Sequence, residues 1–173
     1  RRVLFRSPPF EPETRELFRE AARLEGLPLS WADSEALHNL LDHESDGWVG
    51  VPNGAHRQER RQYWPEIWRR AREGDRSHWV PPGSERSMET TTCTSGKINP
   101  FGTAYIGLGQ LGSHDCGQGW QTGEGSVRFL PRGAASLGHP LEEARGMLGY
   151  IKSRYGDPDA AWATYFTRDP PWY

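Results

Sequence analysis

The chain has 173 residues, a formal net charge of -2 and a hydrophobic fraction of 35%. This length suits one domain, the charge argues against a nucleic-acid-binding protein, and no apolar run is long enough to span a membrane. The eight tryptophans and six tyrosines supply either a small aromatic core or flat faces on which sugar rings stack, and core packing is the expectation for most of them.

The N-terminal part of the chain contains a suspect segment followed by a helix. The chain does not begin with Met, and residues 4–7 match the translated end of a common sequencing adapter. We therefore expect residues 1–7 to be non-native and residues 8–173 to form a single domain. Apolar spacing predicts a helix from Glu11 to Glu25. Its expected core-facing residues are Leu17, Ala21 and Leu24.

The next predicted helix carries one carboxylate on an otherwise apolar face. Spacings of i, i+3, i+4 and i+7 place four residues on that face: Leu37, Leu40, Leu41 and Glu44. Ser30 suits the N-cap position, which predicts a helix that begins near Trp31. Gly47 suits the end of the same helix.

A glutamate at this position has an unusual environment. Desolvation on a core-facing surface and the partial negative charge of a helix C-terminus both disfavour the Glu44 anion and raise its pKa. A carboxyl that stays protonated near neutral pH is what a general acid needs. The alternative interpretation is that Glu44 lies just past the helix end and bends into water.

The stretch from residue 52 to residue 97 differs in composition from the rest of the chain. It is rich in arginine, contains three tryptophans, and predicts one short helix over residues 66–73. We expect a surface excursion whose arginines form a solvated face. Binding of a polyanion is the alternative role for those arginines.

Residues 107–111 form a glycine-rich turn with the sequence Gly-Leu-Gly-Gln-Leu, flanked by Cys93 and Cys116. The two cysteines form one disulfide in an exported or virion protein, or stay as two free thiols in cytosol. Residues 114–116 are His, Asp and Cys, but adjacent side chains rarely converge on one ion, and no CxxC or HExxH spacing is present. The sequence therefore predicts no metal site.

Two helices are predicted near the end of the chain. Pro140 and Gly156 bound the first, whose apolar face comprises Leu141, Ala144, Leu148, Ile151 and Tyr155. Asp157 and Pro158 suit the N-cap and N1 positions of the second. It carries the aromatic residues Trp162, Tyr165 and Phe166. The predicted class is mainly α, with at most short strands.

Three motifs follow one another in a characteristic order. A Glu-Ser pair stands at 44–45, the Gly-Leu-Gly-Gln turn at 107–110, and Arg-Tyr-Gly at 154–156 is followed by Ala-Trp-Ala at 161–163. This order resembles the soluble lytic transglycosylases of the lysozyme superfamily, most of all the versions carried by phage tail and tape-measure proteins. The resemblance implies a lysozyme-like fold.

The resemblance covers residues 30–52 and 98–173. In that family the first two motifs lie much closer together, so residues 52–97 are identified as a large insertion. The family implies a virion-associated or extracytoplasmic protein that acts on the cell wall, with membership of a larger phage tail protein as one option. It implies no cofactor.

The resemblance also implies a reaction. Lytic transglycosylases cleave the MurNAc–GlcNAc β-1,4 bond of peptidoglycan with one glutamate as acid and base, and they release 1,6-anhydro-muropeptides. Glu44 matches that glutamate. The residues that match substrate-binding positions are Ser45, Gly107, Leu108, Gln110 and Tyr165. Ser45 has a helix-end hydroxyl as its alternative role, and Phe166 stands where many family members have Asn.

Other interpretations stay open at this point. Trp48 and Tyr105 are candidate sugar-stacking residues, with core packing as the alternative for each. A hydrolytic lysozyme needs a second carboxylate, but Asp42 and Asp46 lie off the face of Glu44. Asp115 and Glu124 would reach the site only through loops. A non-catalytic wall-binding or tail structural module and a chitinase-like enzyme are further alternatives.

Overall fold

The computed structural model describes residues 7–50, 105–112, 125–136 and 138–167. Within these residues the α-helices are α1 (Pro12–Glu25), α2 (Glu35–Ser45), α3 (Pro140–Tyr155) and α4 (Pro158–Tyr165). Short 3-10 segments cover Leu29–Asp33, Gly125–Phe129 and Gly133–Ser136, and two-residue strands form β1 (Tyr105–Ile106) and β2 (Leu111–Gly112). The mainly α class is confirmed for the described part of the chain. The 52–97 stretch, Cys93 and Cys116 lie outside it.

Helix α1 begins one residue after the predicted start and ends as predicted, and of its three predicted core-facing residues Ala21 is fully buried, Leu17 packs on the core and Leu24 does not. Gly26 ends it in the left-handed conformation, with its N–H donating to the carbonyls of Ala22 and Arg23. Leu24 is 41% exposed, so its predicted place in the core is wrong. Phe18, which the prediction did not include, is fully buried, and its ring meets the edge of His38 in α2 at 6.4 Å between centroids.

Helix α2 begins four residues later than predicted. Residues Leu29–Asp33 form a 3-10 segment, and Ser34, not Ser30, is the N-cap. The Ser34 hydroxyl accepts a hydrogen bond from the Leu37 N–H at 3.3 Å, which satisfies one of the unpaired donors of the first turn. The prediction failed because both serines suit an N-cap. In the fold, Ala32 is buried as part of the 3-10 segment, so the α-helix begins only after that segment.

A buried histidine holds the segments around α2 together. His38 is fully buried, its Nδ1 accepts from the Phe10 N–H at 2.9 Å, and its Nε2 bonds the Ala32 carbonyl at 2.8 Å. These partners fix the neutral tautomer with the proton on Nε2. Burial lowers the pKa of His38, which agrees with a neutral structural ring. His43, five residues on, is exposed on another face of the helix.

Helices α3 and α4 follow the sequence closely. Gly156 ends α3 with a positive φ of 94°, and the Asp157 carboxylate caps α4 by accepting from the Ala160 N–H at 2.7 Å. Helix α3 packs against α1 and α4, and α4 packs against α2. Within the described ranges, no helix combines the length and apolar character needed to cross a bilayer.

Leu111 of the hairpin and Leu130, just after the second 3-10 segment, approach α3 closely at Gly146. A Cβ added to Gly146 would lie 2.5 Å from Leu130 Cδ2 and 3.0 Å from Leu111 Cδ1. Strands β1 and β2 pair antiparallel, with Tyr105 opposite Gly112 and a four-residue turn between them. The absence of a side chain at Gly146 therefore lets the hairpin and the following loop pack closely against the helix.

Candidate functional site

Glu44 lies on the predicted apolar face of α2, one residue before the helix ends at Ser45. Leu37, Leu40 and Leu41 on that face are fully buried, and Glu44 itself is partly buried. Burial raises the pKa of the Glu44 carboxyl from an ordinary value of 4.5 to about 8. The side chain therefore stays protonated at neutral pH, which agrees with the expected raised pKa.

The C-terminal end of α2 turns sharply behind Glu44. Asp46 ends the helix in the left-handed conformation, with a φ of 52°, and Gly47 follows at 70°. This left-handed conformation favours glycine at residue 47, where a Cβ would also lie 2.0 Å from the carbonyl oxygen of Ser7. The helix ends at Ser45, two residues before the predicted stop.

Ser45 has a structural role at this turn. It is fully buried, its hydroxyl donates to the Leu41 carbonyl at 3.3 Å, and it accepts from the Gly47 N–H at 3.2 Å. These bonds are those of the helix-end alternative for Ser45. Trp48, at 9% exposed, belongs to the hydrophobic core, so burial favours packing over sugar stacking for this residue as well.

An aromatic cluster of α2 and α4 residues adjoins Glu44. The His43 ring lies 5.2 Å from Trp162 and 5.4 Å from Tyr165, measured between ring centroids. Burial raises the pKa of the Tyr165 hydroxyl, and the charge of Glu44 raises it further. Tyr165 and Glu44 are therefore close enough to interact electrostatically. Phe166 completes the cluster and is 58% exposed.

The Gly107–Gln110 turn is built by its own hydrogen bonds. The backbone N–H and the side-chain amide of Gln110 both donate to the Gly107 carbonyl, at 3.1 Å and 2.9 Å. Gln110 has a φ of 46°, a conformation that a residue other than glycine adopts only at a cost. Leu108 is fully buried and anchors the turn in the core. Tyr105 begins β1 before the turn.

A second glutamate, which sequence reasoning missed, connects these elements. Glu143 in the first turn of α3 is 1% exposed. Its Oε2 accepts from the Gly50 N–H and the Leu108 N–H, both at 2.9 Å, and its Oε1 accepts from the Gly138 N–H at 2.7 Å. Burial raises the pKa of Glu143 to about 7, although these three bonds act in the opposite direction.

Glu143 could have been found by the argument that singled out Glu44. It stands four residues before Met147 and eight before Ile151, both fully buried, so it occupies the core-facing side of α3. The overlapping face that begins at Leu141 hid this pattern. Its partners, separated from it by up to 93 residues, carry no signal in the sequence because they are backbone groups.

The site offers a protonated acid and polar groups, and it gives no sign of a metal centre among the residues described. There, no three His, Cys, Asp or Glu side chains are placed to bind an ion. Residues 114–116 lie outside the described ranges. No protein-family model, curated protein or solved structure matches the chain. The function must therefore be inferred from the site itself.

Proposed function

We propose that the protein is a lytic transglycosylase that cleaves the MurNAc–GlcNAc β-1,4 bond of peptidoglycan, with Glu44 as its single acid and base. The observation that carries this proposal is the partly buried Glu44 carboxyl, whose pKa burial raises to about 8. A carboxylic acid that keeps its proton at neutral pH can donate it to a leaving glycosidic oxygen. The resemblance of the Glu-Ser, Gly-Leu-Gly-Gln and Arg-Tyr-Gly motifs supports the choice of substrate, and it makes a lysozyme-like fold part of the proposal.

The proposed reaction has two proton transfers. Glu44 protonates the bridging oxygen while the bond from that oxygen to C1 of the muramyl residue breaks. The C6 hydroxyl of the same sugar then attacks C1 and gives its proton to the Glu44 carboxylate, which restores the acid. Because the attacking hydroxyl belongs to the substrate, water is not consumed. The attack also gains the high effective concentration of an intramolecular reaction.

Single-carboxyl chemistry also suits the neighbouring groups. A hydrolytic lysozyme needs a second carboxylate near the scissile bond. Glu143, the other described carboxyl with a strongly raised pKa, accepts three backbone hydrogen bonds and is fully buried. The Glu44 charge raises the pKa of Tyr165, and by resemblance the Tyr165 hydroxyl is the proposed group that orients the acid. Gln110 is the proposed sugar-binding amide by the same resemblance; it is 8% exposed, and its side chain donates to the Gly107 carbonyl.

The proposal is tested by the clearing of a suspension of purified peptidoglycan. The wild type should clear it, and Glu44→Gln should be slower by about a hundredfold or more, because glutamine keeps the shape but cannot donate the proton. Asp42→Asn is a matched control, since Asp42 is exposed at the same end of α2. Clearing by Glu44→Gln at the wild-type rate would exclude Glu44 as the acid.

Two other functions are distinguished by a peptidoglycan pull-down and a chitin-degradation assay run beside the clearing assay. A wall-binding or tail structural module would be retained on peptidoglycan without clearing it. A chitinase-like enzyme would degrade chitin in place of peptidoglycan. The proposal requires clearing of peptidoglycan and its loss in Glu44→Gln.

A further inference from the structure

The Glu143 carboxylate joins three segments that are distant in sequence. Gly50 lies in the chain that leaves α2, Leu108 lies in the hairpin turn, and Gly138 precedes α3. Both carboxylate oxygens accept backbone N–H groups, at 2.7 to 2.9 Å. A fully buried carboxylate is costly to desolvate, and three N–H donors compensate for much of that cost. These bonds hold the three segments at one point.

One oxygen of this carboxylate binds backbone from both parts of the proposed site: the chain that follows Glu44 and the turn that carries Gln110. Oε2 accepts from both Gly50, six residues after Glu44, and Leu108, two residues before Gln110. Two donors on one acceptor atom lie within two hydrogen-bond lengths of each other. The chain behind the acid and the turn that carries the amide therefore meet at this atom.

The turn is shaped to admit the carboxylate. Gly107 has a φ of 91°, and a Cβ there would lie 2.8 Å from Glu143 Oε2. Any side chain at residue 107 would push against the carboxylate as well as strain the backbone. Gly133 also has a positive φ, of 54°, but has no atom within 4 Å of its hypothetical Cβ. It provides a matched comparison in which only the backbone strain is present.

We propose that Glu143 is a positioning residue, which sets the distance between Glu44 and the Gly107–Gln110 turn by binding the backbone on either side. This inference rests on the proposed function of Glu44. Sugar held by the turn is presented to the acid only while the turn stays docked on Glu143. A displacement of about 1 Å between an acid and its substrate can slow a reaction a hundredfold.

Glu143→Gln tests the inference, because the amide keeps the size of the side chain but replaces one acceptor oxygen with an N–H donor. We expect faster hydrogen exchange at the Gly50 and Leu108 amides. On a soluble peptidoglycan oligomer of defined length, kcat should fall at least tenfold while KM changes less than about threefold. Circular dichroism would establish that the variant is folded at the assay temperature.

Gly107→Ala tests the same contact if Glu143→Gln folds poorly. It should lower kcat like Glu143→Gln, and the double variant should be no slower than the worse single variant, because both changes break one contact. Gly133→Ala should keep the wild-type kcat. A wild-type kcat in folded Glu143→Gln, or additive losses in the double variant, would overturn the inference alone. An inactive wild type would overturn the proposed function, and this inference with it.

Discussion

Replacing Glu44 with glutamine should make the protein more stable at alkaline pH. The Glu44 carboxyl ionises near pH 4.5 in the unfolded chain and near 8 in the folded one. Between these values the unfolded state loses its proton first, so the stability that Glu44 provides is complete below pH 4.5 and falls as the pH rises to 8. Glutamine carries no such dependence.

The size of the effect follows from the pKa difference. A difference of one between the folded and unfolded pKa values corresponds to about 1.4 kcal/mol in the free energy of unfolding. The full difference for Glu44 therefore corresponds to roughly 4–5 kcal/mol at pH 8 and above. Partial contact with water makes this an upper value. Glu44→Gln should therefore match or fall slightly below the wild type near pH 4 and exceed it by a few kcal/mol near pH 9.

Urea unfolding of both proteins at several pH values measures this difference. Glu143 also titrates in this range, with a pKa of about 7, but it is present in both proteins and its contribution cancels. Asp42→Asn should follow the wild-type curve, because Asp42 is exposed on the same helix. A constant difference between Glu44→Gln and the wild type at all pH values would mean that Glu44 is solvated. Glu44 would then be ionised at neutral pH and could not act as the acid.

Three further predictions concern the aromatic cluster, the core and the insertion. Tyr165→Phe should lower peptidoglycan turnover with little change in the melting temperature, because only a hydroxyl is lost; unchanged turnover would reduce Tyr165 to a packing residue. Gly146→Ala should destabilise the fold by about 1–3 kcal/mol through overpacking, whereas Gly149→Ala, whose nearest contact would be an ordinary 3.4 Å, should be neutral or slightly stabilising in thermal melts. Replacing residues 52–97 with a short Gly/Ser linker should leave a folded domain with altered substrate affinity, because loop length costs little entropy; aggregation across several linker lengths would place that stretch in the core.

The helices were predictable where the sequence carries local signals. Gly156 and the Asp157-Pro158 pair marked the boundary between α3 and α4, because caps and fixed backbone angles act within a few residues. The start of α2 was not predictable, since Ser30 and Ser34 are equally good caps. The difference between them arises from contacts of the 3-10 segment with the core, which periodicity does not report.

The site was predictable only in part, for the same reason. Glu44 was identified because its own helix buries it. The Gly107–Gln110 turn is bonded to Glu143, whose hydrogen-bond partners lie up to 93 residues away in the sequence. These partners are backbone N–H groups, which almost every residue has, so the sequence does not reveal them. Trp48 and Ser45 each had a structural alternative in the sequence, and their burial, which residue type does not report, favours that alternative.

The most direct test of the central claim is mass spectrometry of the soluble products released from purified peptidoglycan. If Glu44 directs attack by the substrate's own C6 hydroxyl, the wild type should release 1,6-anhydro-muropeptides, and Glu44→Gln should release almost none. Products with reducing ends, one water heavier, would show a hydrolase. Anhydro products released equally by Glu44→Gln would contradict the assignment of the acid.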